Sequence, residues 1–235
     1  MASYDTFAKY YDLAMDDRVE DIRVLRRLIA RHVPSARSIL ELACGSGILL
    51  EPFAKRAEIF GLDLSANMLK IARRRLPKGH FKVGDMRAFR YGRTFDLILL
   101  PFSINHLSRF SDWERTFATV RRHLAPGGVF ILTYFTQTQF ERLDGNMLIK
   151  NDPNGDMILV EFGRGRGGNY TWKLRGFEKT GKDLFRLHED IVHGTTFPLA
   201  KVERALQKRF ARVRMLDANG RGATGKTDFV YAVCS

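Results

Sequence analysis

Cysteine is nearly absent from this 235-residue chain: only Cys44 and Cys234 occur, too few for a disulfide framework or a metal cluster. No apolar run has bilayer length, since the longest, "FDLILLPF", is far too short to span one. The opening residues, "MASYDTFAKYYDLAMDD", lack the basic stretch and apolar segment of a secretory leader. A cytoplasmic protein with no membrane partner is therefore expected. Internal repeats are not evident. Carboxylates are scarce beside cations, leaving a formal charge of +13. Such a field attracts nucleic acid, anionic membrane or acidic small molecules. The basic residues are dispersed, however, among "ARRRLPK" at 72–78, Arg121–Arg122, "GRGRGG" at 163–168 and the Lys201–Arg214 segment. Charge alone names no partner.

What is present is an ordinary 45% hydrophobic content, enough to bury a core, arranged in two patterns. Two helices are predicted first: 3–15, with Phe7, Tyr11 and Met15 at helical spacing, and 17–32, with Ile22, Leu25, Leu28, Ile29 and His32 on one face before Pro34. Strand and helix then alternate. Strands are expected at 38–42, 58–63, 80–85, 95–100 and 129–134. Helices are expected at 47–56, at 65–76 behind a capping Ser65, and at 111–124 behind a Ser111-x-x-Glu114 capping box. The apolar "FDLILL" reads as a strand buried on both faces. Beyond residue 136, period-two alternation over 156–193 predicts antiparallel strands, followed by a helix entered through Pro198 and two closing strands.

The fold class expected is thus α/β: a Rossmann-like, doubly wound, mostly parallel sheet ending in an antiparallel hairpin, with an antiparallel β insertion after the fifth strand. One domain is expected over 1–235. It would comprise N-terminal helices at 1–34, an α/β core at 35–136 and 195–235, and a lid insertion at 137–194. Ligands of such sheets sit beyond the C-terminal strand ends.

The stretch "SILELACGSGILLEPF" (38–53) places a glycine loop there, and three ligands compete for it. The dinucleotide fingerprint G-x-G-x-x-G lacks its third glycine, because Leu50 stands at that position; this disfavours NAD. "GRGATGKT" (220–227) matches the phosphate-loop pattern, but a strand, "DFVYAVCS", follows where that mechanism needs a helix N-terminus. It reads as a hairpin turn. The third reading rests on carboxylates. Glu41 ends the first strand, and Asp63 ends the second, 18 positions after Gly45, where a carboxylate accepts both ribose hydroxyls. Asp85 ends the third and is followed by Met86, an acceptor for an adenine amino group beside an apolar wall. A carboxylate at Glu41 would repel a diphosphate and favour a ligand with a positive group. An adenosine bearing an amino acid and a sulfonium meets all of these requirements.

On these residues the sequence resembles the class I S-adenosylmethionine-dependent methyltransferases of the small-molecule type. The matching segments are "ILELACGSG", "GLDLSANMLKIAR", "GDM", "FDLILLPFSINHL" and "LAPGGVFIL", with "YDTFAKYYDLAM" similar to the Tyr-Asp helix that opens many such enzymes. The resemblance implies S-adenosyl-L-methionine as the methyl donor. It implies that backbone at Ala43, Gly45 and Gly47 holds the methionine portion and that Asp63 binds the ribose. Leu64 and Met68 would line the adenine side, and Asp85 and Met86 its edge. Backbone at Leu100 would meet the donor's amino group, while Tyr4 and Tyr11 would close over the pocket.

Methyl transfer from a sulfonium is an in-line displacement, so alignment and exclusion of water matter most. A base is needed only for an acceptor that must lose a proton. His106, in "SINHL", stands where it could serve an amine or hydroxyl, or else hydrogen-bond the loop backbone. His188 and Glu189 can face a pocket only one at a time. The chain carries Leu100-Pro101-Phe102-Ser103 after strand four, not the Asn/Asp-Pro-Pro-Tyr/Phe of enzymes that methylate exocyclic amines of nucleic-acid bases. The insertion, with Trp172, Phe177 and Phe185, suits a lid over a small-molecule methyl acceptor. RNA is the alternative acceptor, motivated by the charge. A non-catalytic S-adenosylmethionine-binding regulator is the alternative of another class. No metal site is expected, and the oligomeric state is not legible.

Overall fold

The computed structural model describes residues 7–15, 18–165 and 169–235. A 3-10 turn at Ala8–Tyr10 leads into a short helix α1 (Tyr11–Met15), where the expected longer helix has its described part; α2 (Val19–His32) follows. Val24, Leu25, Leu28 and Ile29 form the buried stripe of α2, and the helix ends before Pro34, which supplies no N–H to continue it.

Seven strands build the main sheet in the order β3 (His80–Val83), β2 (Glu58–Asp63), β1 (Ser38–Leu42), β4 (Phe95–Pro101), β5 (Leu124–Phe135), β11 (Phe229–Cys234), β10 (Val213–Leu216). The first five pair in parallel, and β11 runs antiparallel to both β5 and β10. Strand order reverses between β1 and β4, so a crevice opens beyond their C-terminal ends. Both strands are nearly wholly buried because helices cover both faces. On one face Leu40, Leu42, Ile98 and Leu100 pack with α4 (Phe110–His123) and α6 (Leu199–Gln207). On the other, Ile39, Leu97 and Leu99 pack with α2 and α3 (Ala66–Arg75). Strand alternation puts Glu41 on this second face with Ile39, a carboxylate where the neighbours are apolar.

Several local expectations are corrected. No α-helix follows the glycine loop; turns and a single 3-10 turn at Glu51–Phe53 take its place. Pro52 is the cause, since it gives no N–H to the preceding turn and disfavours helical geometry at Glu51. The capping box at Ser111 does not form: α4 starts one residue earlier, behind Arg109, with no side-chain cap. Asp112 in its first turn instead meets Arg87 and Arg115. Strand β5 begins at Leu124, so "APGG" lies within it, at a register irregularity opposite Phe95 and Leu97. Strand β3 ends at Val83, which leaves Asp85 in the following loop. Ser65 does cap α3, accepting from the Met68 amide at 3.1 Å.

After β5 comes a helix the alternation concealed, α5 (Gln137–Leu143). A second, four-stranded antiparallel sheet follows, in the order β6 (Met147–Asn151), β7 (Met157–Arg164), β8 (Tyr170–Lys179), β9 (Phe185–Gly194). Its inner face carries Ile158, Val160, Trp172, Leu174 and Val192, packed with Phe7 and Tyr10 of the N-terminal segment. Phe185, Leu187 and Ile191 alternate onto the outer face and are about half exposed. Residues 220–227 form turns leading directly into β11, with no helix beyond them. The phosphate-loop match is a hairpin connection.

Candidate active site

The glycine loop leaves β1 through a left-handed Ala43 (φ 53°) and Gly45 (φ 52°). The Gly45 amide donates to Asp63 Oδ2 at 2.8 Å, and the Ser65 amide donates to Oδ1 at 2.8 Å. One carboxylate thus ties the loop to the start of α3. A Cβ at Gly45 would lie 3.1 Å from Met68 Cε and 3.5 Å from the Tyr11 ring, a tight fit at a positive φ that favours glycine. Gly47 (φ 76°) makes the turn and packs on α3, where a Cβ would meet Leu76 at 3.3 Å. Above the loop lies a cavity of about 320 Å³, lined by Tyr11, Ala43, Gly45, Asp63, Leu64, Met68, Asp85, Met86 and His106, among others. Asp85 is gripped by Arg87: Nε lies 2.9 and 3.0 Å from its oxygens, and this pairing holds the carboxyl below its usual range. Arg87 also reaches Asp112, at 3.3 Å.

A second cavity of about 590 Å³ adjoins the first; Tyr11, Ala43, Ser103 and His106 line both. Its walls come from α1, the ends of β1, β4 and β5, and the inner face of the antiparallel sheet, including Phe135 and Trp172. Glu41 lies in its wall, 2% exposed, and its Oε2 has no hydrogen-bond partner among the described residues. Burial pushes this carboxyl well above the usual range; Arg18 opposes that shift and Asp63 adds to it. The adjacent Arg18 pairs with Asp21 at 2.6 Å and lies over the Phe102 ring at 4.9 Å. Arg18, Ala43 and Phe102 are the non-glycine residues with positive φ among those described, and all three line this cavity. Backbone strain of this kind, about 1–3 kcal/mol per residue, gathers at sites where geometry matters more than local preference.

His106 follows β4 on a short 3-10 turn (Ile104–His106) that a buried Asn105 locks in place. Asn105 Nδ2 donates to the carbonyls of Phe135 and Thr195, and its Oδ1 accepts from the Phe135 amide. That residue joins the ends of both sheets. His106 Nδ1 lies 3.2 Å from the His193 carbonyl, which can only accept, so Nδ1 carries the proton and the basic lone pair is on Nε2. Burial lowers the imidazole's pKa, only partly offset by that bond. Trp172 stands edge-on to the ring at 5.6 Å. Tyr11, half-buried in the cavity wall, has its hydroxyl pushed up to about 12, chiefly by desolvation, and is neutral.

Of the residues singled out from sequence, the first cavity thus gathers nine and Glu41 lines the second. Gly47 and Leu100 line neither: the one shapes the turn, and the other is buried in the core. Tyr4 lies outside the described residues. Only Trp172 of the three insertion aromatics faces inward; Phe177 and Phe185 alternate outward. His188 and Glu189 line neither cavity, since they pair with Glu178 and Arg175 within the sheet. Sequence reasoning missed Arg18, Arg87, Ser103 and Phe135 as cavity residues. Only the segment "LPFSINHL" signalled any of them.

A family profile described as "Methyltransferase domain" matches residues 39–128. A dTDP-3-amino-3,4,6-trideoxy-alpha-D-glucopyranose N,N-dimethyltransferase of Streptomyces venezuelae is 32% identical over 227 residues, covering 92% of this chain and 94% of that one. A dTDP-4-amino-2,3,4,6-tetradeoxy-D-glucose N,N-dimethyltransferase of Saccharopolyspora spinosa is 41% identical over 108 residues, but the match spans only 43% of that protein and 45% of this chain. The SAM-bound structure of CalS10, an amino pentose methyltransferase from Micromonospora echinaspora, superposes with a TM-score of 0.74 at 26% identity, covering 96% of each chain.

Proposed function

The chain belongs to the family of S-adenosylmethionine-dependent methyltransferases that contains these N,N-dimethyltransferases, and from that premise we propose that it methylates the amine of an amino-sugar-like small molecule. The donor brings a methyl group on a positively charged sulfur, already activated for displacement. Two observations support the fit of the donor: Glu41 Oε2 has no partner among the described residues, and the cradle at Gly45 would be filled by a Cβ. On this reading Asp63 binds the ribose hydroxyls, while Asp85 and Met86 receive the adenine edge. Leu64 and Met68 line its face, and backbone at Ala43 and Gly45 holds the amino-acid end. Glu41 ionises to pair with the donor's ammonium.

The observation that carries the acceptor side is the position of His106, on the wall shared by both cavities with its lone pair on Nε2. A neutral imidazole there takes the proton that the acceptor's ammonium must lose before its nitrogen, as the neutral amine, attacks the methyl group, which is general-base catalysis. Tyr11 closes over the same junction and orients the acceptor by its hydroxyl. The antiparallel sheet, with Trp172 inward, acts as a lid that excludes water. Residues 137–194 are then an insertion within a single catalytic domain. The small-molecule acceptor sets the enzyme apart from an RNA methyltransferase. Among the described residues no helix is long and apolar enough to cross a membrane; a cytoplasmic site of action is part of the proposal.

The test is calorimetric titration of S-adenosylmethionine into wild type and Asp63→Ala, with NAD and ATP as controls, followed by an acceptor panel read by mass spectrometry. Binding lost or weakened in the variant, silent controls, and one or two methyl groups added to an amino sugar are expected. Binding of ATP instead would overturn the donor assignment. Methylation of hydroxyls but no amines would overturn the acceptor assignment.

A further inference from the structure

Residues Phe7–Met15 are fastened at two ends to different parts of the molecule. At one end, Lys9 Nζ lies 2.7 Å from Glu178, and the Tyr10 hydroxyl donates to Asp156 at 2.9 Å. The Tyr10 ring sits where Gly176 leaves room, since a Cβ there would lie 2.8 Å from it. Phe7 and Tyr10 are buried against the inner face of the antiparallel sheet. At the other end, Asp12 accepts from Ser46 of the glycine loop and from Arg75 Nη2 at 2.5 Å. Arg75, at the end of α3, also donates through Nη1 to Ser46 O at 2.9 Å and Ser46 Oγ at 2.8 Å, and its Nε lies 3.3 Å from Glu51. Tyr11 lies between these anchorages, against Gly45 and in the wall of both cavities. Asp12, Ser46 and Arg75 line neither cavity.

We propose that Arg75 is a positioning residue for donor binding: through Asp12 and Ser46 it holds segment 7–15 as a strap linking the donor loop to the antiparallel sheet. The proposal rests on the donor assignment above. A guanidinium is suited to this junction, because its planar fork serves a carboxylate, a hydroxyl and a carbonyl at once, where an ammonium has no such fixed fork. Filling the first cavity immobilises Gly45 and Tyr11, and therefore Asp12. The strap transmits that order to Tyr10 and onward to Asp156 and Gly176. Linkage makes the effect mutual: settling the sheet tightens the donor by the same factor.

The experiment measures affinity for S-adenosylmethionine and S-adenosylhomocysteine by calorimetry, together with hydrogen exchange over 8–15 and 156–179 with and without S-adenosylhomocysteine. It compares wild type, Arg75→Met, Asp12→Ala and Tyr10→Phe. In wild type, ligand should slow exchange in both segments. Arg75→Met and Asp12→Ala should weaken both ligands by about tenfold, ~1.4 kcal/mol, and abolish ligand-dependent protection at 156–179. Tyr10→Phe, which removes the hydroxyl bond to Asp156 but keeps Lys9–Glu178 and the ring packing of the far anchorage, should retain protection at 8–15 and lose part of it at 156–179. A simple structural ion pair would change exchange equally with and without ligand. A folded Arg75→Met binding both ligands like wild type overturns the proposal, as does wild type without ligand-dependent protection at 156–179. Should Arg75→Met not fold, Tyr10→Phe decides: full protection at 156–179 rejects the strap. Wild type that binds neither ligand refutes the donor assignment instead.

Discussion

Glu41→Leu should raise stability and lower donor affinity at once. Glu41 is 2% exposed, one of its oxygens has no partner among the described residues, and its carboxyl is pushed well above the usual range by burial. Leucine of similar volume removes an unsatisfied buried polar group, which is worth about 1–2 kcal/mol. In a chain of this size that raises Tm by about 2–8 °C. The sign with pH follows from the raised folded-state pKa. The carboxyl binds its proton more tightly folded than unfolded, so the free protein loses stability as pH rises from the unfolded carboxylate range through the folded pKa. The Leu variant lacks that slope, and its advantage grows with pH over this window. Affinity moves the other way. Losing one partner of a buried charge pair costs about 2–5 kcal/mol, part of which wild type spends on deprotonating Glu41. A net loss of about 2–3 kcal/mol, roughly 30- to 150-fold in Kd, is expected. Thermal unfolding between about pH 5 and pH 8 reads the first effect. Titration of S-adenosylmethionine in buffers of different ionisation enthalpy reads the second, with proton release in wild type and none in the variant. A variant that binds the donor as tightly as wild type, or melts lower, would refute the reasoning.

Other expectations follow from the same geometry. Because burial lowers the His106 pKa, kcat/KM should fall only below the ordinary histidine value of 6.5 and be flat at neutral pH. His106→Ala should lower kcat by about 10²–10⁴ and remove that acid limb, as measured in a pH–rate profile. Gly45→Ala forces a Cβ toward Met68 at positive φ and should cost about 1–3 kcal/mol, seen as a lower denaturation midpoint and weaker donor binding. Asp63→Asn turns one acceptor toward a backbone N–H into a donor. A loss of about 1–3 kcal/mol in urea unfolding is expected beside the weakened donor titration, and unchanged stability would count against the loop-tying role.

Local pattern was enough for much of this architecture. The largely apolar "FDLILL", the alternation of strand and helix, and Ser65 before α3 each read correctly, because burial on both faces and an N-cap leave marks within a few residues. The carboxylates of Glu41 and Asp63 near strand ends were legible for the same reason, whereas Asp85 lies in the loop beyond β3: a strand's C-terminal end is a position in sequence as well as in space. Misreadings arose where a local signal was outweighed. Pro52 broke an otherwise helical stretch, Asp112 and its arginine partners stood where Ser111 was expected to cap, and α5 hid beside strands. The meeting of Arg18 with Phe102, Arg87 with Asp85 and Asp112, and Arg75 with Asp12 and Ser46 left no such mark. Those partners are brought together by chain crossings, and any exposed arginine looks alike until the fold chooses its neighbours. Composition and spacing therefore established the sheet and the glycine loop, and the resemblance carried by those residues implied the donor. The walls of the second cavity, the tautomer of His106 and the solitary buried carboxyl of Glu41 exist only once two sheets and an N-terminal segment close on one another, because desolvation and hydrogen bonding depend on what surrounds a group in space.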